Sequence, residues 1–334
     1  MGECEWLRPG GRVGRCYDEP MFGFLGPLGT FTHQALLTLP QAHGEELVPY
    51  PSVSLALDAV RDGKVQASLV PIENSVEGGV SATLDNLARV GEDAVPLSII
   101  AEVTLSVQFQ LMVRPNTEFE QITRVLTHPH ASAQCREWLA ATMPEVEVVE
   151  GGSTAAAAKE VSRPDSAYDA AICAEIAGEM YGLETIRADI ADNTTAVTRF
   201  VLVSPQGRTV TPAPTGADKT TFVAYMHRDR AGALMEILEQ LASRGVNLCR
   251  IESRPTKQAL GSYCFSIDAE GHVMDERVGD ALMGLRRICQ RVVFLGSYPR
   301  ADAVPAAVPF GGSNGEYRSA KLWLDDIRNL VIKS

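Results

Sequence analysis

Pro71-Ile-Glu-Asn-Ser-Val-Glu-Gly-Gly79 joins two segments of different apolar periodicity. Before it, the run from Val65 to Ile72 is short, β-branched and bounded by Gly63 and Pro71, the pattern of a buried strand. After it, Val80, Leu84 and Leu87 recur at i, i+4 and i+7, which predicts an amphipathic helix from Gly79 to Val90. Glu73, Asn74, Ser75 and Glu77 therefore stand at a strand-to-helix junction, where open α/β sheets bind ligands. Asn and Ser at such a place also suit a helix cap, so both readings stay open from this stretch alone.

Outward from that junction, strand-like and helix-like runs alternate from Met21 to Pro205, the signature of an α/β architecture with a mainly parallel sheet. The strands are expected at Phe22 to Leu25, Leu47 to Pro49, Gln66 to Ile72, Ser98 to Val113, Arg124 to Leu126, Val146 to Val149, Ala170 to Cys173 and Thr198 to Val203. The element from Ser98 to Val113 is too long for one ordinary strand and reads as a crossing between two lobes. A return crossing is then required near residues 185–205, and two lobes joined twice enclose a cleft suited to a small molecule. Residues 206–218, rich in Pro and Gly and without apolar periodicity, form a linker. Beyond it, strand Thr220 to Met226, helix Ala231 to Arg244, strand Val246 to Pro255, strand Ser262 to Ala269, helix Asp275 to Gln290 and strand Val292 to Tyr298 make the βαββαβ order of a ferredoxin-like unit over 219–299. Residues 300–334 are a tail whose end, Tyr317 to Ser334, predicts a short helix. Residues 1–20, Gly- and Arg-rich, are expected to be disordered.

A chain of 334 residues exceeds one ordinary core, which agrees with this division. Thirty basic against forty-two acidic side chains leave a formal charge of −12, which argues against nucleic acid or an anionic membrane as partner. An anionic ligand would need local donors. Seven cysteines, an odd number without CxxC spacing, fit reduced thiols in a cytoplasmic protein better than disulfides or zinc. No segment has the length and apolarity of a membrane span or a secretory leader.

Four constellations fall at strand ends of the first region. Gly26-Pro-Leu-Gly-Thr-Phe-Thr-His33 opens a helix whose unpaired N–H groups, with the Thr30 and Thr32 hydroxyls, suit an anion. It lacks the spacings of dinucleotide and P-loop motifs. Glu73-Asn74-Ser75 is the second. The third is Thr127-His128-Pro129-His130 leading to Gln134, where no carboxylate or cysteine stands at ligand spacing to complete a metal site. Gln134, in the first turn of the following helix, can point its amide into the cleft. Thr198-Arg199-Phe200 brings a hydroxyl, a cation and a ring to the expected lobe crossing.

Gly29-Thr-Phe-Thr32, Pro71-Ile-Glu-Asn-Ser75 with Gly78, Thr127-His-Pro129 with Gln134 and Cys135, and Thr198-Arg-Phe200 occur in the order and approximate spacing of prephenate dehydratases, which the chain resembles from Met21 to Pro205. The following unit resembles their regulatory ACT domain, through Gly232-Ala-Leu234 at its first helix and Asn247-Leu-Cys-Arg-Ile-Glu-Ser-Arg-Pro255 at its second strand. The short segment ahead of Met21 matches the monofunctional form, without a chorismate mutase domain. The resemblance implies a two-lobed fold like type II periplasmic binding proteins and a hydro-lyase, without metal or other cofactor, that converts prephenate to phenylpyruvate, water and carbon dioxide for phenylalanine synthesis. It implies that Thr198 assists the leaving hydroxyl, with Arg199 binding a carboxylate or forming a structural ion pair, and Glu73 and Asn74 orienting or relaying. Gly29, Thr30, Phe31, Thr32, Ser75, Thr127, Gln134 and Phe200 would hold the substrate. L-Phenylalanine would bind the ACT unit through Gly232, Ala233, Leu234, Asn247, Leu248, Glu252, Ser253 and Arg254; alternatively, Leu248 and Ile251 only build a dimerising sheet. A homotetramer of dimers or a homodimer is implied.

Two other readings compete. A non-catalytic solute receptor shares the two-lobed architecture but has no use for a hydroxyl donor at Thr198. An arogenate dehydratase would differ only at the contact to the side-chain amino group.

Overall fold

The computed structural model describes residues 6–7, 13–14, 21–89, 95–207, 211–227, 230–256 and 263–331. The disorder expected for 1–20 lies outside the described residues, apart from Trp6–Leu7 and Val13–Gly14, which pair antiparallel. The chain forms two compact units, one of residues 1–86 and 103–205, the other of 87–102 and 206–334. The first unit ends at Pro205, and the grouping of 87–102 with the second unit was not anticipated.

The first unit holds strands of two sheets. One has, within this unit, the order Glu46–Tyr50, Met21–Leu25, Ala67–Asn74, Val197–Pro205. Its first three strands are parallel, and Val197–Pro205 runs antiparallel to Ala67–Asn74. The other has the order Glu147–Glu150, Arg124–Thr127, Ala170–Cys173, Gln110–Val113, Glu184–Arg187. Again three strands are parallel, and Gln110–Val113 is antiparallel to both its neighbours. The sheets are therefore mixed, which corrects the expectation of mainly parallel sheets. The antiparallel strands directly follow or precede the two crossings, where the chain must enter a sheet and later return.

The long element expected from Ser98 to Val113 is two strands, Leu97–Ser106 and Gln110–Val113, broken at 107–109. At the break the Val107 N–H donates to the Ala196 carbonyl at 2.8 Å, which ties the outgoing and returning crossings together. Burial explains the second sheet. Ala170, Ala171, Ile172 and Cys173 are all 0% exposed. Alternate residues serve opposite faces: Ala170 and Ile172 pack with Leu111, Val125 and Leu139, whereas Ala171 and Cys173 pack with Met112, Ala158 and Ala177. This period of two with apolar residues on both sides is what a strand covered by helices on each face requires.

The helix after the opening stretch is Ser81–Leu87, shorter than the Gly79 to Val90 expected; Val90 lies outside the described residues. Helices Val53–Asp62 and Thr154–Val161 each start on a serine whose hydroxyl accepts a backbone N–H, Ser52 from Leu55 and Ser153 from Ala156.

In the second unit the strands lie in the order Leu248–Pro255, Tyr263–Glu270, Asp218–Tyr225, Arg291–Pro299, all antiparallel. With helices Ala233–Ala242 and Glu276–Ile288 this is the βαββαβ arrangement anticipated. Phe222, Ile237, Leu241, Ile267, Val278 and Leu285 fill the space between helices and sheet. The segment 87–102 contributes Glu102, whose buried carboxylate accepts from Lys219 Nζ at 2.9 and 3.1 Å and from the Ala301 N–H at 2.8 Å. The tail carries helix Asn314–Asn329, opened by a capping box between Ser313 and Glu316. It begins and ends earlier than expected.

Candidate active site

Register places the site. Antiparallel pairing sets Thr198 opposite Asn74 and Arg199 opposite Glu73. Asn74 Nδ2 donates to Thr198 Oγ1 at 2.7 Å. The Asn74 carbonyl oxygen accepts from the backbone N–H groups of Val76 at 2.8 Å and Glu77 at 3.2 Å. The oxygen thus caps the turn that follows the strand, leaving the amide nitrogen fixed on Thr198. The two readings of this asparagine are both true, one for each end of its amide, although the group it caps is that turn and not the Ser81–Leu87 helix. Because Thr198 Oγ1 accepts from Asn74, its own proton is available to a further acceptor.

Both residues line an open pocket of about 370 Å³. Strands of the first sheet contribute Asn74, Thr198 and Phe200, and the start of the helix Phe31–Leu37 contributes Thr30, Phe31 and Thr32. Opposite them stand Val107, Phe109, His128, His130 and Gln134, with Ser153 and Thr154 at the start of the Thr154–Val161 helix. Phe31 and Phe109 meet edge to face at 5.5 Å, and Phe200 is 2% exposed, so apolar surface underlies the polar groups. Gln134 Oε1 is buried with no hydrogen-bond partner among the described residues. An unpaired buried amide oxygen is unfavourable by about 1–3 kcal/mol, which marks Gln134 as a group awaiting a partner.

Other residues singled out in the sequence do not line the pocket. Gly29 has φ +84°, and an added Cβ would stand 3.1 Å from Ala177 Cα, so glycine is needed there for backbone shape. Its N–H donates to His33 Nδ1 at 3.2 Å; burial holds the pKa of that imidazole below its ordinary value. Ser75 exchanges two hydrogen bonds with Val197, its N–H donating to the Val197 carbonyl and its hydroxyl accepting the Val197 N–H, both at 2.9 Å. Thr127, fully buried, donates to the Ile172 carbonyl at 2.7 Å. Arg199 Nη1 meets Glu73 Oε2 at 3.4 Å, and neither borders the pocket. These residues hold the walls in place. Thr30 does both, since its hydroxyl also accepts the His33 N–H at 3.3 Å as the cap of its helix.

Glu77, His128 and His130 are pocket residues that the sequence did not assign to it. His128 Nδ1 accepts the His130 N–H at 3.3 Å at a helix start, and the two rings meet edge to face at 4.9 Å. His130 Nδ1 lies 2.9 Å from Glu77 Oε1. Burial, and then the neighbouring His130, hold the pKa of His128 below the usual imidazole value. Among the described residues no group of three or more His, Cys, Asp or Glu is placed to hold a metal ion, and no helix is long and apolar enough to cross a membrane.

In the second unit, a pocket of about 140 Å³ is bordered by Met226, His227, Arg230, Ala233 and Glu236. Gly232, at φ +85°, opens the adjoining helix. Arg230 holds both Glu236 carboxylate oxygens at 2.6 Å. Leu234 is 37% exposed. Asn247 accepts the Glu270 N–H through its carbonyl. Leu248 packs partly buried against the core. Glu252 pairs with Arg250 and Arg254 along the Leu248–Pro255 edge strand, which also carries Ser253. Of the residues expected to bind an amino acid, Ala233 borders this pocket; the strand residues do not.

Two mixed sheets around a hydroxyl-, amide- and imidazole-lined pocket define an α/β protein acting on a small polar molecule. The family model for prephenate dehydratase matches residues 22–208. A prephenate dehydratase of Amycolatopsis methanolica is 47% identical over 301 residues, 90% of this chain and 95% of its own. Among solved structures, a prephenate dehydratase of Arthrobacter aurescens in complex with L-Phe aligns with a TM-score of 0.86 and 51% identity, over 92% of this chain and 99% of its own. That of Staphylococcus aureus aligns with a TM-score of 0.70 and 25% identity, over 83% and 99%. The chain belongs to the prephenate dehydratase family.

Proposed function

We propose that the first unit converts prephenate to phenylpyruvate, water and carbon dioxide. The observation that carries this reading is the 2.7 Å bond from Asn74 Nδ2 to Thr198 Oγ1 at a pocket with Phe200 in its wall. The reaction breaks the bond from the ring to its hydroxyl and the bond from the ring to a carboxylate. The carboxylate's bonding electrons complete the aromatic ring, carbon dioxide leaves, and one proton converts the departing hydroxide to water. Aromatisation drives the chemistry, so the protein's task is to orient two carboxylates and deliver that proton.

Thr198 is the donor to the departing hydroxyl. An aliphatic alcohol is too weak an acid to stay ionised, so the proton it gives is replaced from solvent along a short relay. Asn74 fixes the orientation of the hydroxyl by donating to its oxygen. Phe200, Phe31 and Phe109 receive the ring, whose conversion to a flat aromatic favours such surfaces. Gln134 supplies an amide for a carboxylate or keto oxygen, and the Ser153 and Thr154 hydroxyls stand near by at a helix start, where negative charge is favoured. The second unit is an ACT domain that binds L-phenylalanine and lowers turnover through a shift between subunit arrangements, in a cytoplasmic homodimer or dimer of dimers. Assay with prephenate and with arogenate, reading phenylpyruvate and phenylalanine respectively, tests the reading. The expectation is turnover of prephenate, suppressed by added L-phenylalanine. Turnover of arogenate alone would transfer the site to the amino substrate, and turnover of neither would refute it.

A further inference from the structure

The substrate proposed above carries two carboxylates, yet among the described residues that line the pocket none is lysine or arginine. The ionisable lining groups are Glu77, His128 and His130. An acidic side chain at the pocket of an enzyme for a dianion opposes binding unless it is partnered, and here His130 Nδ1 stands 2.9 Å from its Oε1, an ion pair whenever the imidazole carries its second proton. The pair joins opposite walls: Glu77 lies in the turn held by Asn74, and His130 in the first turn of the helix that also carries Gln134. Their side chains are 42% and 63% exposed, so the contact is of the weak, exchangeable kind.

We propose that His130, as imidazolium, is a substrate-anchoring residue that exchanges its Glu77 partner for a substrate carboxylate, and that Glu77 sets the affinity of the site by competing for it. The inference rests on the dehydratase reading and adds to it the source of positive charge. His128 is suited to a different part. Its Nδ1 is occupied by the His130 N–H, so a neutral ring carries its hydrogen on Nε2 and offers a neutral donor. Among the described residues Glu77 and His128 meet the His130 ring, and Glu150 acts on His128. Removing the His130 ring takes away this partner for a carboxylate, and removing the Glu77 carboxylate takes away its competitor, while the step at Thr198 is untouched.

Steady-state kinetics on prephenate at low and high salt test this in the wild-type protein, His130→Gln and Glu77→Gln, each with a thermal melt. Prephenate turnover by the wild-type protein tests the dehydratase reading separately. His130→Gln should raise KM at low salt by up to about fivefold, the scale of one exposed ion pair, with a smaller change in kcat, and the difference from wild type should shrink as salt screens the contact. Glu77→Gln should lower KM at low salt. A His130→Gln protein whose KM equals that of the wild type at low salt overturns the proposal, as does one that loses mainly kcat, or a Glu77→Gln protein whose KM rises.

Discussion

Replacing Thr198 by valine removes one hydroxyl at the centre of the proposed mechanism and little else. Valine keeps the branched shape, and the strand register that sets residue 198 opposite Asn74 involves only backbone. General-acid assistance is worth about 10²- to 10⁴-fold. At about 1.36 kcal/mol per decade, that raises the barrier by about 2.7–5.4 kcal/mol. The structural cost is smaller. Asn74 Nδ2 loses its 2.7 Å acceptor, and a stranded buried donor costs about 1–3 kcal/mol at most. The Asn74 side chain stays anchored through its oxygen to the Val76 and Glu77 N–H groups, and the pocket admits water as a replacement partner. Thr198→Val should therefore lose at least a hundredfold in kcat while melting within several degrees of the parent. The assay follows phenylpyruvate by its absorbance in alkali, alongside a thermal melt. Turnover within about threefold of the parent, well short of the acid-catalysis range, would show that Thr198 is not the donor.

Asn74→Ala removes the group that orients Thr198 and the acceptor for two turn amides; kcat should fall by about 10²-fold or more, and full activity would confine Asn74 to the turn. Thr127→Val should do the reverse, because its hydroxyl serves the buried Ile172 carbonyl. A stability loss of about 1–3 kcal/mol in denaturant titration with near-normal kinetics is expected, and a large kcat loss at full stability would return Thr127 to the site. Glu102→Ala strands Lys219, whose side chain is 12% exposed, and should cost about 3–5 kcal/mol of stability; a loss under about 1 kcal/mol, the scale of an exposed pair, would contradict the buried network. Burial pushes the thiols of Cys135 and Cys173 up to about 12. Site-resolved alkylation at pH 8 should therefore leave both unmodified in the native protein and label them on unfolding. Native labelling at the rate of an exposed thiol would contradict this.

Much of the fold was legible because burial writes itself into spacing. Ala170–Cys173 was placed correctly since each of its residues is apolar and enclosed on one face or the other. Glu184–Arg187 was missed for the opposite reason: it is an edge strand, mostly exposed, with polar residues at most positions. The antiparallel sense of Val197–Pro205 and Gln110–Val113 was not legible, because a period of two carries no direction. At the candidate site, Asn74, Thr198, Phe200 and Gln134 were singled out from their place at strand and helix ends, and all four border the pocket. Thr127, Gly29 and Ser75 sit in equally distinctive motifs, yet their polar atoms are spent on the scaffold. A motif marks a constrained position without saying which atom is used. The Glu77–His130 contact brings together residues from separate constellations, and nothing in either local pattern foretells it.

Conversion of prephenate by the purified wild-type protein, dialysed against a chelator and supplied with nothing else, tests the account most directly. Phenylpyruvate and carbon dioxide should appear in equal amounts, at a rate proportional to protein concentration. Prephenate left intact by a fully folded sample, or consumed without release of carbon dioxide, would contradict it.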